Sequence, residues 1–164
     1  MLVESERTMD DQLFRDVMAR VPAPVTVITT TDDEGPHGTT VSAFTSLSLN
    51  PRLVMASMDN KSHILQRIRN TRKLGVNLLA RGQGDIALRF ARDEALRFAP
   101  EDWHLEHGLP RLDGIATWLE ATLAYELPAG DHTILACEVV FAEMSEHPAL
   151  VYSDRVFGSN VSAN

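Results

Sequence analysis

Short runs of β-branched and apolar residues, each bounded by turn residues, recur along most of this chain. Their composition predicts strands over 24–31, 39–49, 52–58, 74–80, 116–126, 133–144 and 149–152. Helical periodicity is confined to three short segments, after Asp10, after Ser62 and within 82–91. No G-x-G-x-x-G sequence lies between a strand and a helix, which disfavours a Rossmann fold. The pattern therefore predicts a closed antiparallel barrel, mainly β, with helices at its edge.

One domain is predicted for the whole chain, residues 1–164, with 1–9 as a flexible N-terminus. The net charge of −8 argues against strong nucleic-acid binding, which needs a basic face. No apolar run reaches the roughly 18 residues of a membrane span, and the first residues do not resemble a secretory signal. Cys137 is the single cysteine, so no internal disulfide can form. These features are typical of a cytoplasmic protein.

The segment 38–51 combines strand-like alternation with an unusual number of hydroxyl groups. If it is one continuous strand, one of its faces carries Thr40, Ser42, Phe44, Ser46 and Ser48. Two interpretations remain open. The row is either the solvated outer face of an edge strand, or a ledge whose hydroxyl and backbone groups bind a flat polar ligand.

Asn60, Lys61 and Ser62 precede an amphipathic helix. The first N–H groups of a helix have no intrahelical acceptor, and the helix dipole favours a negative charge beside them. A phosphate group fits this position, where Lys61 would add a positive charge and Ser62 a hydroxyl donor. The alternative interpretation is ordinary N-capping by Asn60 or Ser62.

Two further segments contain histidines that are candidates for chemistry. His104 and His107 are three residues apart, but no further ligands are evident, so no metal site is predicted. The surrounding segment 92–113 contains two prolines and is predicted to be mostly loop with some helix. The segment 127–132 is typical of a hairpin turn and ends at His132.

Taken together, these segments resemble the short-chain flavin reductase family, the reductase components of two-component flavin monooxygenases. The resemblance covers about residues 14–157, and its markers stand in order: Pro24-Val25-Thr26-Val27-Ile28-Thr29, the segment 38–51, Leu74-Gly75-Val76-Asn77-Leu78-Leu79-Ala80 with Gln83, Gly130-Asp131-His132 and Leu150-Val151-Tyr152. Gly75 stands where relatives carry alanine or a bulkier residue, which predicts a looser strand. The segment around Arg155 and Phe157 matches loosely, and no role is assigned to it.

The resemblance implies an FMN-binding split β-barrel, a Greek-key antiparallel barrel that works as a homodimer with the flavin near the subunit interface. It implies that residues 40–48 line the isoalloxazine and ribityl chain, that residues 60–62 hold the phosphate, and that His132 lies beside the nicotinamide. The implied flavin-binding residues are Thr40, Val41, Ser42, Ala43, Ser46, Leu47, Ser48, Asn60, Lys61, Ser62, Asn77, Gln83 and Tyr152.

The activity that the resemblance implies is transfer of a hydride from NADH or NADPH to FMN or FAD, with the reduced flavin supplied to a partner monooxygenase. Flavin and nicotinamide carry the chemistry, so the protein supplies orientation and electrostatics. Two alternatives stay open: a flavin carrier or sensor without rapid reductase activity, and an oxidase of the pyridoxamine-phosphate oxidase type. The sequence leaves open the choice of flavin and of nicotinamide, whether the flavin is a prosthetic group or a substrate, and the identity of the oxygenase.

Overall fold

The computed structural model describes residues 9–92 and 94–159. Three α-helices occur within these ranges: α1 (Asp11–Ala19), α2 (His63–Thr71) and α3 (Gly84–Ala91). All three coincide with helices predicted from the sequence, and α1 is capped by Asp10, whose carboxylate accepts a hydrogen bond from the Leu13 N–H. Residues 1–8 of the predicted flexible N-terminus lie outside the described residues. Each described helix is too short or too polar to cross a membrane.

Strands account for most of the remaining structure. In chain order they are β1 (Ala23–Pro24), β2 (Thr26–Asp32), β3 (Gly35–Val41), β4 (Phe44–Leu49), β5 (Arg52–Asp59), β6 (Lys73–Leu78), β7 (Trp103–Glu106), β8 (Leu109–Leu112), β9 (Thr117–Ala129), β10 (His132–Met144), β11 (Leu150–Ser153) and β12 (Val156–Ser159). Seven of them form one antiparallel sheet in the order β3-β2-β6-β9-β10-β5-β4. A small sheet has the order β1-β11-β12, and β7 pairs with β8.

The seven-stranded sheet closes because its two edge strands are neighbours in the chain. Only Ser42 and Ala43 separate β3 from β4. Six inter-strand spacings of about 4.8 Å would hold the edges of a flat sheet roughly 29 Å apart. The three peptide steps from Val41 to Phe44 span at most about 11 Å. The sheet must therefore curl, which is the antiparallel barrel that the sequence predicts.

Two hydrophobic cores use alternate residues of the same strands. The inner core includes Ile28 of β2 and three apolar residues of α2, Ile64, Leu65 and Ile68. The outer core includes Val27 of β2 together with Ile86, Ala87 and Phe90 of α3 and with Leu109, Leu112 and Trp118. Because side chains alternate across a strand, β2 is covered on both faces. Its residues 26–30 are all buried, polar threonines included.

Gly75 of β6 is required by the packing of the outer core. A Cβ atom at this position would lie 2.3 Å from Cη2 of Trp118, a side chain that is fully buried. Gly75 still pairs in register with Thr29 on β2 and with Glu120 on β9. The prediction of a looser strand is therefore wrong, because the indole ring occupies the space that a side chain would need.

The predicted single strand over 39–49 is wrong. It breaks at Ser42 and Ala43 because β3 and β4 belong to opposite edges of the sheet before closure. The first of the two strands also begins earlier than predicted, since Gly35 to Gly38 are already part of β3. Gly38 is a packing position there, because a Cβ atom would lie 2.8 Å from the ring of Phe90.

Two more strand pairs correct the sequence predictions. The segment 92–113 is not mostly loop, since it contains the hairpin of β7 and β8. The hairpin is stabilised by distant contacts that leave little local pattern, because Leu109 and Leu112 enter the outer core. The strand β12 follows β11 as a second short hairpin and was not predicted from its four residues.

Candidate functional site

A cavity of about 260 Å³ opens where β3 ends and the barrel closes. We call it the strand-break cavity. Its lining consists of residues 39–43 around the break, residues 57–59 at the end of β5, Ser62 before α2, and His132 at the start of β10. Barrel closure brings these four parts of the chain together, although up to 93 positions separate them in the sequence.

The strand break leaves two backbone donors unpaired beside this cavity. Ser42 and Ala43 lie between β3 and β4 and belong to neither ladder. Their carbonyl groups accept hydrogen bonds from the N–H groups of Phe44 and Ser57. Within the described part of the chain, the N–H groups of Ser42 and Ala43 themselves have no protein acceptor. Both residues are exposed, so these amides are free to bind an acceptor atom of a ligand.

The predicted continuous row of hydroxyls is wrong. The hydroxyl of Thr40 donates to the carbonyl of Ala87 in α3 at 2.6 Å, although Thr40 also lines the cavity. Ser42 lies in the break, and a register shift within residues 46–48 bends β4. Ser46, Leu47 and Ser48 lie outside the cavity lining. A break and a bulge each change which face the next residues present, so alternation cannot continue through them.

The N-terminus of α2 opens at the same cavity. Ser62 is the N-cap residue, but its hydroxyl caps no backbone N–H and it lines the cavity. Among the described residues, the N–H groups of His63 and Ile64 have no acceptor, and the exposed Lys61 has no ion-pair partner. Asp59 adds a carboxylate to the lining, with Oδ1 accepting a hydrogen bond from the Lys61 N–H at 2.7 Å. The geometry is that of a helix terminus open to an anion.

His132 is the first residue of β10, directly after a two-residue turn. Gly130 in that turn has φ +65°, a backbone conformation that favours glycine. Nδ1 of His132 lies 2.7 Å from Oδ1 of Asp131, and this hydrogen bond holds the pKa of Asp131 below its usual range. Pairing of His132 with Asp59 on β5 places the imidazole at the cavity. No described residue bonds to its Nε2, which can therefore contact a ligand.

Asn77, a predicted flavin contact, is fully buried away from the cavity lining. Its Nδ2 donates to the carbonyl of Val27 at 3.1 Å, and its Oδ1 accepts from the N–H of Leu112 at 2.7 Å. The amide thus joins β6 to β2 and to β8. Its structural role is clear, while its flavin contact stays a prediction.

Gln83 and Tyr152 are also predicted flavin contacts that lie outside the cavity lining. Oε1 of Gln83 accepts from the N–H of Ala80 at 2.9 Å, and Nε2 donates to the carbonyl of Asp113 at 2.8 Å. Tyr152 packs on Phe157, with ring centroids 5.1 Å apart at the edge of the outer core. Their roles in flavin binding stay predictions.

Sequence reasoning missed four residues of the lining: Thr39, Ser57, Met58 and Asp59. Three of them end β5, which has an ordinary strand composition without any ligand-binding pattern. The available signal was their position immediately before the predicted phosphate site at 60–62. Because β5 leads directly into the N-terminus of α2, its last residues lie beside the predicted phosphate site.

Outside the cavity, the Cys137 thiol and one cluster of potential metal ligands are the other candidates for chemistry. Burial raises the pKa of the Cys137 thiol to about 12, so this core residue is not a nucleophile at neutral pH.

Three potential metal ligands lie within 4.8 Å of one another: Glu106, His107 and Glu120. Arg111 donates to Glu106 at 2.6 Å, and its positive charge opposes a cation there. The absence of a metal site remains an expectation.

A family model described as flavin reductase like domain matches residues 18–160 of the chain. The chain belongs to this family. Flavin reductases are flavin oxidoreductases, so the match confirms the family and the type of enzyme that the sequence predicts. The fold prediction, a split barrel that is mainly β, is confirmed by solved flavin reductases of the same architecture.

Curated relatives match most of this flavin reductase. Actinorhodin polyketide dimerase of Streptomyces coelicolor is 37% identical over 158 residues, which covers 94% of this chain and 89% of that protein. A probable flavin reductase of Rhizobium meliloti is 33% identical over 162 residues, with 94% of this chain and 52% of that protein covered. An NADH:FMN oxidoreductase of Rhodococcus erythropolis is 36% identical over 124 residues, covering 74% and 65%. This chain therefore spans about half to two thirds of the last two proteins.

Two solved structures show the same fold. The NADH:FAD oxidoreductase SgcE6 of Streptomyces globisporus, in complex with NAD and FAD fragments, has a TM-score of 0.88 at 30% identity, covering 93% of this chain and 94% of that chain. BorF, the flavin reductase component of a bacterial two-component tryptophan halogenase, has a TM-score of 0.84 at 29% identity, covering 92% and 98%.

Proposed function

We propose that this flavin reductase binds FMN or FAD at the strand-break cavity and reduces it with NADH or NADPH. One observation carries the proposal: two unpaired backbone donors and an open helix N-terminus share one cavity. A phosphorylated flavin needs both features, since it has an acceptor-rich ring edge and an anionic tail. When bound, the flavin supplies the hydride acceptor, and the residues around it supply orientation and charge stabilisation.

The N–H groups of Ser42 and Ala43 would donate to the acceptor edge of the ring. Negative charge develops at that edge on reduction, and fixed donors stabilise such charge without reorganising. Val41 precedes them at the end of β3 and also lines the cavity. Since these donors are main-chain groups held by the barrel closure, most substitutions of the two side chains should leave them in place.

The phosphate would lie at the N-terminus of α2. Ser62 offers its uncapped hydroxyl, and His63 and Ile64 offer backbone N–H groups. Lys61 adds a positive charge, which offsets the nearby carboxylate of Asp59. This arrangement is supported by the shared cavity rather than by the helix terminus alone.

His132 would contact the nicotinamide nucleotide. Its Nδ1 is hydrogen-bonded to Asp131, so Nε2 is the imidazole nitrogen that remains for a contact with the nucleotide. His132 is part of the same cavity lining, so its imidazole would face a nicotinamide stacked on the flavin. Stacking of the two rings at about 3–3.5 Å is the near-attack geometry that hydride transfer requires.

A second copy of the chain would complete the site. The cavity of about 260 Å³ is smaller than the roughly 300–1,000 Å³ of usual ligand sites. The strands β4 and β10 lie on either side of β5 and expose large apolar side chains. The exposed fractions are 88% for Leu49 of β4, and 64% and 84% for Val140 and Met144 of β10. Exposed apolar residues on neighbouring strands are typical of an interface. The predicted contacts Ser46, Leu47 and Ser48 lie on this β4 surface, where a homodimer would bring them to a flavin.

The reduced flavin would pass by diffusion to a flavin-dependent monooxygenase in the cytoplasm. Support comes from relatives that are reductase components of such systems, including the reductase component of the flavin-dependent trigonelline monooxygenase of Acinetobacter baylyi. The carrier and oxidase alternatives do not need a nicotinamide contact, so His132 at the cavity favours the reductase.

A second candidate function comes from the name of one relative. Actinorhodin polyketide dimerase matches 94% of this chain at 37% identity, so dimerisation of a polyketide stays open for this site. The two functions differ in what turnover requires. A reductase oxidises the nicotinamide with flavin alone, whereas a dimerase needs the polyketide.

Steady-state oxidation of NADH and of NADPH, each with FMN and with FAD, tests the proposal. Faster nicotinamide oxidation in the presence of flavin is the expected result. Flavin binding without any acceleration would favour the carrier, and formation of a dimeric product from an added polyketide would favour the dimerase. Absence of flavin binding would remove the strand-break cavity as the site.

A further inference from the structure

Asn60 lies between the end of β5 and the start of α2, and its hydrogen bonds to described residues go to the chain on either side of His132. Its backbone N–H donates to the carbonyl of Asp131 at 3.0 Å. Its Nδ2 donates to the carbonyl of Gly130 at 3.3 Å, and its Oδ1 accepts from the hydroxyl of Thr133 at 2.7 Å. These three partners flank His132 on both sides in the chain.

These bonds continue the pairing of β5 and β10 beyond the last regular position of their ladder. The ladder ends where Asp59 faces His132. The turn itself is solvent-exposed, since residues 124–131 are exposed along its approach. An exposed two-residue turn with a glycine has few other contacts to hold it, and such turns open most readily. Asn60 therefore adds three hydrogen bonds to the ladder pairing of His132 with Asp59, all of them beside this exposed turn.

The structure assigns Asn60 as a positioning residue that holds the His132 turn against the N-terminal end of α2. This assignment rests on the proposed function, in which His132 contacts the nicotinamide and α2 holds the flavin phosphate. It differs from the sequence interpretation, in which Asn60 contacts the phosphate or caps the helix. Ser62 is the N-cap, and both ends of the Asn60 amide already bond to residues beside His132, Nδ2 to Gly130 and Oδ1 to Thr133.

Such a clamp sets the distance between the two cofactor positions. Asn60 is only two residues from Ser62 in the chain, so its contacts beside His132 are directly linked to the proposed anion site. Loss of the clamp would let the His132 imidazole move away while leaving the helix terminus intact, because α2 is anchored separately by Ile64, Leu65 and Ile68 in the inner core. The expected defect is therefore in nicotinamide binding and not in flavin binding.

A double-mutant cycle of Asn60→Ala and Thr133→Val tests the assignment by nicotinamide KM, kcat and flavin dissociation constant. Removing one or two hydrogen bonds predicts a rise of about fivefold in nicotinamide KM for Asn60→Ala, and a smaller rise for Thr133→Val. The double variant should match Asn60→Ala, since both changes remove the same bond. Flavin affinity should stay within about twofold of wild type, a change near the usual mutational background.

Asn70→Ala is the matched control, because Asn70 lies on α2 and bonds only to Gln66 on the same helix. Unchanged nicotinamide KM in Asn60→Ala and Thr133→Val would overturn the assignment, and so would additive effects in the cycle. A loss of flavin affinity equal to the KM effect would place Asn60 at the phosphate instead.

Hydrogen exchange of the amides of residues 130–133 gives a readout that needs no activity. Faster exchange in Asn60→Ala but not in Asn70→Ala is the expected result, and equal protection would overturn the clamp. If Asn60→Ala fails to fold, Thr133→Val carries the same comparison. If the wild-type protein oxidises no nicotinamide while the exchange result holds, the proposed function fails and the clamp survives.

Discussion

The strand-break cavity and the outer core differ in the state of their polar groups. Around the cavity, the N–H groups of Ser42 and Ala43 and the hydroxyl of Ser62 have no partner among the described residues. Next to the outer core, the fully buried Asn77 uses both ends of its side-chain amide within the protein. Burial explains the difference, because a polar group withdrawn from water needs a protein partner whereas one at a cavity can bond to a ligand.

The comparison teaches how to separate two kinds of motif residue. Asn77 and Gln83 belong to the same resemblance as Ser42 and Ala43, yet only the second pair offers free donors to a cavity. A residue that recurs in a family motif can hold the barrel together as readily as it can touch a cofactor. Unpaired donors, rather than polar residue type, distinguish the proposed flavin site from the rest of the motif.

The largest effect is expected from breaking the outer core. Asn77→Leu leaves the N–H of Leu112 buried without its acceptor and removes the side-chain bond to the carbonyl of Val27, which should lower the free energy of unfolding by about 2 kcal/mol. Chemical denaturation measures the change, with exposed Asn70→Leu as the control. Equal stability of the two variants, together with weaker flavin binding in Asn77→Leu, would move Asn77 to the ligand side of the comparison.

On the cavity side, Lys61→Ala should weaken FMN binding by about 1–2 kcal/mol, the scale of one charge-assisted contact. Riboflavin lacks the phosphate, so its affinity should not change. Titration of both flavins by fluorescence measures the difference, with Lys73→Ala as a control lysine on β6. Equal losses for FMN and riboflavin would place the phosphate elsewhere.

His132→Ala should raise the nicotinamide KM or lower kcat by roughly fivefold to tenfold, with flavin affinity little changed, because one polar contact is lost. Steady-state kinetics and flavin titration together provide the measurement. His147→Ala is the control, since His147 is exposed and lies outside the cavity lining. Identical kinetics in the two variants would remove His132 from the site.

The smallest effect is expected outside both regions, where Arg67 of α2 bonds to Asp32 in the hairpin of β2 and β3. Burial raises the pKa of Asp32, but hydrogen bonds from Arg67 and His37 outweigh it and lower that pKa to about 2. The contribution to stability is thus complete above the unfolded pKa of 3.8 and is lost as pH falls toward 2. In Asp32→Asn, the free energy of unfolding measured by denaturation should fall less between about pH 5 and pH 2 than in the wild type. An equal fall in both proteins would contradict the role of Asp32.

Local patterns predicted most elements but failed where distant contacts decide. The buried strand around Leu74 and the helix after Ser62 follow from short-range periodicity, and both are present. The break at Ser42 and Ala43 has no equivalent signal, because alternation continues through it in the sequence. The hairpin of β7 and β8 lacks one as well, since burial of Leu109 and Leu112 depends on the outer core.

The sequence by itself determined the family, the strand-rich composition and the positions of the predicted anion site and of His132. Only the tertiary structure decided which polar groups are free, that Asn60 bonds to the His132 turn, and that Gly75 makes room for Trp118. The physical reason is range. Secondary-structure preference acts over a few neighbouring residues, whereas hydrogen-bond satisfaction and close packing depend on which distant segments barrel closure brings together.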